Sequence, residues 1–334
     1  MTSIEAFEVQ LSDQTPIRGI GVSLGLFASD PLWDYSELIQ EIAELGSNQL
    51  LLVVPLRQED HLSSAPRLLI PLEAIRQSIQ RAHELGLKVS VMPVIQLKQR
   101  TMNMWRGRLA PRDLDRWWIN YRALIKRLAD LAAEESVERL VIGAELCSLE
   151  RHATRWRSLI QLARRRFRGV LTYSANWDHY REVPFWDALD EVGVNAYAPL
   201  ASLERLEEEW SSRLTKLERF AARQGSELKR GRPLLITEYG YPALESALRA
   251  PWDETTGSTC RLDLQADLLE RSTRVLHKRV RRERRGDSGS ILRGAYLWNW
   301  FGFGGAQDCG FTPRGKDAEA RLRSVFKSSV QRGL

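Results

Sequence analysis

Eight short apolar runs, each followed by a segment of helical period, predict an α/β chain folded as a single (β/α)8 (TIM) barrel. Two further observations carry that prediction. The runs are apolar throughout rather than alternating, as expected of parallel strands covered on both faces. The 334 residues, 43% of them hydrophobic, also show no composition break, linker or repeat. One domain over residues 1–334 is therefore expected, and barrels of this kind reach that length. An open doubly wound sheet is the alternative, and eight unbroken units count against it.

The elements follow in order. The first run, IRGIGVSLGLF (Ile17–Phe27), is rich in small residues, which we read as easing packing inside the barrel. After it comes YSELIQEIAELG, with Leu38, Ile39, Ile42 and Leu45 on one face and Gly46 as a stop signal. The second run, QLLLVVPL (Gln49–Leu56), precedes PLEAIRQSIQRAHELG, where Leu72, Ile75, Ile79, Ala82 and Leu85 face inward and Gly86 closes the helix. The third, KVSVMPVIQL (Lys88–Leu97), leads to a helix over Asp113–Glu135. The fourth, RLVIGAEL (Arg139–Leu146), leads to one over His152–Arg168. The fifth, VLTYSAN (Val170–Asn176), is followed only by a short helix at Phe185–Asp190. The sixth, EVGVNAY (Glu191–Tyr197), precedes a helix over Leu203–Gln224. The seventh, PLLITEYGY (Pro233–Tyr241), precedes Leu262–Arg282, and the eighth, GAYLWNWFG (Gly294–Gly302), precedes Asp317–Ser329.

Composition excludes several classes of function. The 49 basic residues exceed the 43 acidic ones by six, and HKRVRRERR (His277–Arg285) carries much of that excess. No aromatic residues interleave with it to stack bases, so it reads as a solvated helix end before the loop GDSGS, with no nucleic-acid partner. Cys147, Cys260 and Cys309 are odd in number and far apart, so neither a disulfide framework nor a metal knuckle is expected. The N-terminus MTSIEAFEVQ has no basic or apolar signal region, and no run approaches eighteen apolar residues. A cytoplasmic protein without a membrane segment is expected. GFTPRGKD (Gly310–Asp317) matches a phosphate loop except that Asp317 stands where the metal-holding hydroxyl belongs. GIGVSLG (Gly19–Gly25) lies within a strand, where a dinucleotide turn does not. No HExxH pair, paired histidine spacing or GxSxG elbow occurs. No metal and no organic cofactor is expected.

In a barrel of this type the active site lies at the C-terminal ends of the strands. Two carboxylates stand out there because each ends a run too apolar to need one: Glu145 in VIGAEL and Glu238 in LITEYG. A carboxylate at a buried strand end is costly unless it is hydrogen-bonded or at work. Two facing each other across a pocket suit glycoside hydrolysis, one as general acid and the other as nucleophile. Around them Trp105, Trp177, Trp298 and Trp300 offer flat faces for a pyranose ring. Asn176 and Tyr197 offer directional hydrogen bonds, and Tyr239 adjoins Glu238 as a further contact. His179 and the long segment after the seventh strand, PALESALRAPWDETTGSTC, are candidate walls of the cleft.

These segments carry a resemblance. VIGAEL and ITEYGY look like the acid/base and nucleophile positions of clan A glycoside hydrolases. With WRGRLAP (Trp105–Pro111), TYSANWD, VNAYAPL and YLWNWFG, the chain resembles glycoside hydrolase family 113 from about Ile17 to Phe303. The resemblance implies a retaining mechanism without cofactor, acting on an oligosaccharide with β-mannosidic or related links. It implies Glu145 as acid/base, Glu238 as nucleophile, and Tyr197 as a partner of the nucleophile. Trp298 becomes the platform under the reacting sugar, with Asn176 and Trp177 as further pocket residues. Two departures bear on the substrate: Ala144 precedes the acid/base where the clan usually has Asn, and MPVIQL replaces a polar, often histidine-bearing third strand end. Another β-linked glycan is the alternative substrate, and a silent glycan-binding barrel the alternative class. Linkage, endo or exo action and oligomeric state are not fixed by the sequence.

Overall fold

A computed structural model describes residues 17–99, 104–224, 231–255, 259–282 and 291–330. The segment MTSIEAFEVQ, the loop GDSGS and the basic run from Glu283 onward lie outside the described residues. Within them, eight parallel strands form the barrel: β1 (Gly19–Gly25), β2 (Gln49–Gln58), β3 (Lys88–Leu97), β4 (Arg139–Ala144), β5 (Val170–Ala175), β6 (Val192–Asn195), β7 (Leu234–Tyr239) and β8 (Leu292–Leu297). Each pairs with its chain neighbours, and β1 pairs with both β2 and β8, so the ring closes. The helices around it are α1 (Ser36–Leu45), α2 (Leu72–Glu84), α3 (Leu114–Glu134), α4 (Cys147–Glu150), α5 (Ala153–Arg166), α6 (Leu206–Ala221), α7 (Leu262–Arg282) and α8 (Asp317–Val330).

Local signals set most of these boundaries. Gly46 ends α1 in the left-handed conformation at φ 97°, and its N–H bonds the Ala43 carbonyl. Asp113 caps α3, its carboxylate accepting from the Arg116 N–H at 2.8 Å. Three features depart from the expected pattern. The connection from β5 to β6 is a single 3-10 turn at Trp186–Ala188, because Pro184 and the brevity of the segment leave no room for an amphipathic face. The one-turn α4 follows β4 directly. A two-residue strand, Arg67–Leu68, pairs antiparallel with the end of β2.

Two apolar layers result. The larger lies between strands and helices. The smaller fills the barrel lumen with Leu51, Val53, Met92, Val94, Val141, Ala144, Leu235 and Tyr296. Gly21 is what admits the Tyr296 ring, since a Cβ there would stand 2.5 Å from it. Below these residues, at the floor of the barrel, Arg139 pairs with Glu191 through Nε at 2.8 Å and Nη2 at 3.2 Å. Its Nη1 donates to Tyr296 and Ser90.

One expectation fails. Cys260 and Cys309 form a disulfide, with Cα atoms 5.4 Å apart. Forty-nine residues separate them in sequence, but the loops after β7 and β8 converge at the barrel mouth. Sequence spacing does not show that convergence. Cys147 is free.

Candidate active site

The C-terminal ends of the strands surround a cleft of about 700 Å³, within the range of small-ligand sites. Glu145 and Glu238 both line it, and both are buried. The chain reaches Glu145 through a register shift at the end of β4 and holds it at φ 53°. That left-handed conformation costs a non-glycine residue about 1–2 kcal/mol and persists only where surroundings enforce it. Here they do. The Glu145 N–H bonds the Ser174 carbonyl at 2.8 Å, and the Leu146 N–H bonds the Tyr173 hydroxyl at 2.7 Å. That hydroxyl in turn donates to Glu150 at 2.7 Å. The turn is thus bolted to β5 on one side and α4 on the other.

The carboxylates have different partners. Arg106 Nη2 lies 2.7 Å from Glu145 Oε2, and Asn195 Nδ2 donates to Glu145 Oε1 at 2.8 Å. The hydroxyls of Ser174 and Thr237 each donate to Asn195 Oδ1 at 2.7 Å, which turns the Asn195 amide nitrogen toward Glu145. Tyr197 donates its hydroxyl to Glu238 Oε2 at 3.0 Å. Glu238 Oε1 is buried and has no partner among the described residues. Burial, reinforced by the nearby Glu145 charge, pushes the Glu238 carboxyl up to about 8. Arg106, Tyr197 and Asn195 pull it the other way. Burial works against the Arg106 charge, but Glu145 and Glu238 outweigh it and hold the guanidinium cationic.

Aromatic rings wall the site. Trp105, Trp177, Trp298 and Tyr197 line it as expected, with Asn176. Trp298 leans on Phe27 at 6.2 Å between centroids. Trp177 stacks on Trp252 at 6.0 Å and 20°, and Trp252 comes from the long segment after β7. The surroundings fit a sugar: flat apolar faces, a few directed polar groups and two carboxylates.

The family model described as Glycoside Hydrolase Family 113 matches residues 36–302. The chain belongs to that family. Among solved structures, the family 113 β-mannanase of Alicyclobacillus acidocaldarius, in complex with ManMIm, is 24% identical. It superposes with a TM-score of 0.78, covering 95% of this chain and 99% of that one. Another family 113 β-1,4-mannanase is 23% identical, with a TM-score of 0.77 over 94% and 100% of the two chains. A GH5_18 protein of Bifidobacterium longum, in complex with Manβ1-4GlcNAc, is 16% identical with a TM-score of 0.60, covering 94% and 78%. No curated protein matches the sequence. The family 113 chain is a glycoside hydrolase.

Three expected contacts of this family 113 enzyme lie elsewhere. Tyr239 is fully buried on the outer side of β7, bonded to Thr273 at 2.9 Å and packed on Trp210. It follows Glu238 immediately, and alternation along a strand sends neighbours to opposite faces. Trp300 is likewise buried, its indole N–H donating to Glu41 at 2.7 Å. His179 is held between Glu150 and Glu182 at 2.6 and 2.9 Å, behind the cleft rather than along it. Conversely, Arg57, Arg106, Asn195 and Trp252 belong to the site but were not assigned to it from sequence. Asn195 was legible as a polar residue at a strand end, and Arg106 as the neighbour of Trp105. Arg57 had no signal beyond a charge closing an apolar run.

Proposed function

We propose that the chain is a retaining β-mannoside hydrolase in which Glu145 is the acid/base and Glu238 the nucleophile. The observation that carries this reading is the meeting of these two carboxylates, from β4 and β7, in one aromatic-walled cleft. Glu145 gives its proton to the glycosidic oxygen as Glu238 Oε1, the oxygen with no partner, attacks the anomeric carbon. The bond to the leaving sugar breaks and a glycosyl ester forms. Glu145, now a carboxylate, takes a proton from water, and that water attacks the anomeric carbon to release Glu238. The first step needs a proton on Glu145 and an ionised Glu238. Tyr197 favours the ionised nucleophile by hydrogen bonding to it.

The mannanase structures that the chain resembles support a mannose-configured substrate. Trp298 beneath the reacting sugar and Trp105, Trp177 and Trp252 around it support binding of an oligosaccharide. The Cys260–Cys309 bond supports an oxidising compartment. No helix among the described residues is long and apolar enough to cross a membrane.

The test is hydrolysis of aryl β-mannosides and β-1,4-manno-oligosaccharides by wild type beside Glu145→Gln and Glu238→Gln. Each substitution is expected to lower kcat by about a thousandfold or more, with the β-anomer as first product. Release of the α-anomer first, or a variant retaining more than a tenth of the rate, overturns the assignment.

A further inference from the structure

The side of the cleft opposite β6 carries a charge that the reaction does not use. Inward-pointing residues on β2 run Leu51, Val53 and then Arg57, the first two in the lumen layer and the last in the cleft. Arg57 is half-buried. Its Nε is fully shielded from solvent without a hydrogen bond, and among the described residues the side chain has no acidic partner. The acids next to it in sequence are engaged: Glu59 holds Lys98 at 3.2 Å and Gln99 at 2.9 Å, and Asp60 caps the N–H groups of Leu62 and Ser63. The short antiparallel strand then sets Arg67 directly across from Arg57. Like charges facing each other across a ladder are destabilising, and Arg67 too has no acidic partner among the described residues. Beside Arg57 on β3 stand Gln96, its register neighbour, and the apolar Val94. Lys98 also lines this wall, but it is paired with Glu59. The wall offers a planar anion an unoccupied fork.

We infer that the sugar bound here carries a carboxylate and that Arg57 receives it, with Arg67 adding to the local field. The substrate is then an acidic β-mannoside, its carboxylate belonging either to a uronate or to a pyruvate ketal. This inference rests on the proposed β-mannoside hydrolysis and narrows its substrate.

The experiment compares kcat/KM for 4-nitrophenyl β-mannopyranoside, the matching β-mannuronide and a pyruvate-ketal β-mannoside. Wild type, Arg57→Gln and Arg67→Gln are used, each checked for an unchanged thermal melt. Binding of β-1,4-mannuronate and β-1,4-mannose oligosaccharides to the same proteins is measured in parallel by calorimetry. Wild type is expected to prefer an acidic substrate. Arg57→Gln should lower the acidic-to-neutral ratio by about 10- to 100-fold, the range of one charge-assisted contact, and Arg67→Gln by less. Which acidic arm is preferred identifies the source of the carboxylate. Cleavage of the neutral mannoside in preference to both acidic ones, with a ratio indifferent to Arg57, overturns the inference and leaves the hydrolase reading intact. Arg57-dependent binding of the mannuronate without cleavage of anything upholds acid recognition and overturns the hydrolase reading. Neither cleavage nor binding overturns both.

Discussion

Glu238 shows how burial at a strand end sets a single carboxyl against stability. Its carboxyl is raised from 4.5 to about 8 by burial and by Glu145, so the folded chain holds a proton that the unfolded chain has released. The stability contributed by that proton is complete below about pH 4.5 and is lost as pH rises through about 8. Glu238→Gln keeps the shape and removes the titration. It is expected to unfold later than wild type above pH 8, by up to about 5 kcal/mol, while losing activity. Urea titrations at pH 5, 7 and 9 check this, and two curves that stay parallel across that range would refute it. The same proton is expected to set the alkaline limb of the wild-type rate profile, with kcat/KM falling near pH 8. Glu145 and Glu238 were both legible at this scale, because a carboxylate ending an apolar strand is conspicuous. Arg106 was legible only as the neighbour of Trp105, since its reach to Glu145 comes from a loop whose path the sequence does not specify.

Among elements, the strands were more legible than the loops joining them. Continuous apolar runs marked all eight, and Gly46 and Asp113 marked the ends of helices. The short helix expected at Phe185–Asp190 in the β5–β6 connection is a single 3-10 turn, with Phe185, Trp186 and Leu189 buried around it. The Cys260–Cys309 bond belongs to this scale as well. It staples the β7 loop that supplies Trp252 to the β8 loop, which reaches Phe311 in the cleft wall. On a chain-entropy view, closing a loop of this size stabilises the fold by about 2–4 kcal/mol. Cys260→Ser is expected to lower Tm, and reductant should lower the wild-type Tm toward the same value. Before reduction, only Cys147 should titrate as a thiol in unfolded protein. Three reactive thiols in unreduced protein would contradict the pairing.

For the molecule as a whole, the barrel is held by a floor as well as by a wall. Arg139 is fully buried with Glu191, and Tyr296 and Ser90 complete its bonds. Burial disfavours the Arg139 charge, yet Glu191 and Tyr296 more than offset it. Removing one partner leaves the other charged in the lumen. Arg139→Met is therefore expected to cost about 3–5 kcal/mol, read as a lower urea midpoint. Arg139→Met with Glu191→Leu should recover much of that loss. A single substitution costing under about 1 kcal/mol would show that the pair does not hold the floor.

Sequence by itself determined the eight-strand count, the parallel arrangement, and the two strand-end carboxylates, Glu145 and Glu238, that line the cleft. Each rests on local pattern: period, apolarity and the cost of a charge beside it. Tertiary structure alone decided which aromatic residues line the cleft and which fill the core. It also set the Arg106 and Asn195 contacts to Glu145, the disulfide, and the uncompensated Arg57 beside Arg67. Those depend on which residues distant in sequence converge at the barrel mouth, and closure of the ring is what brings them together.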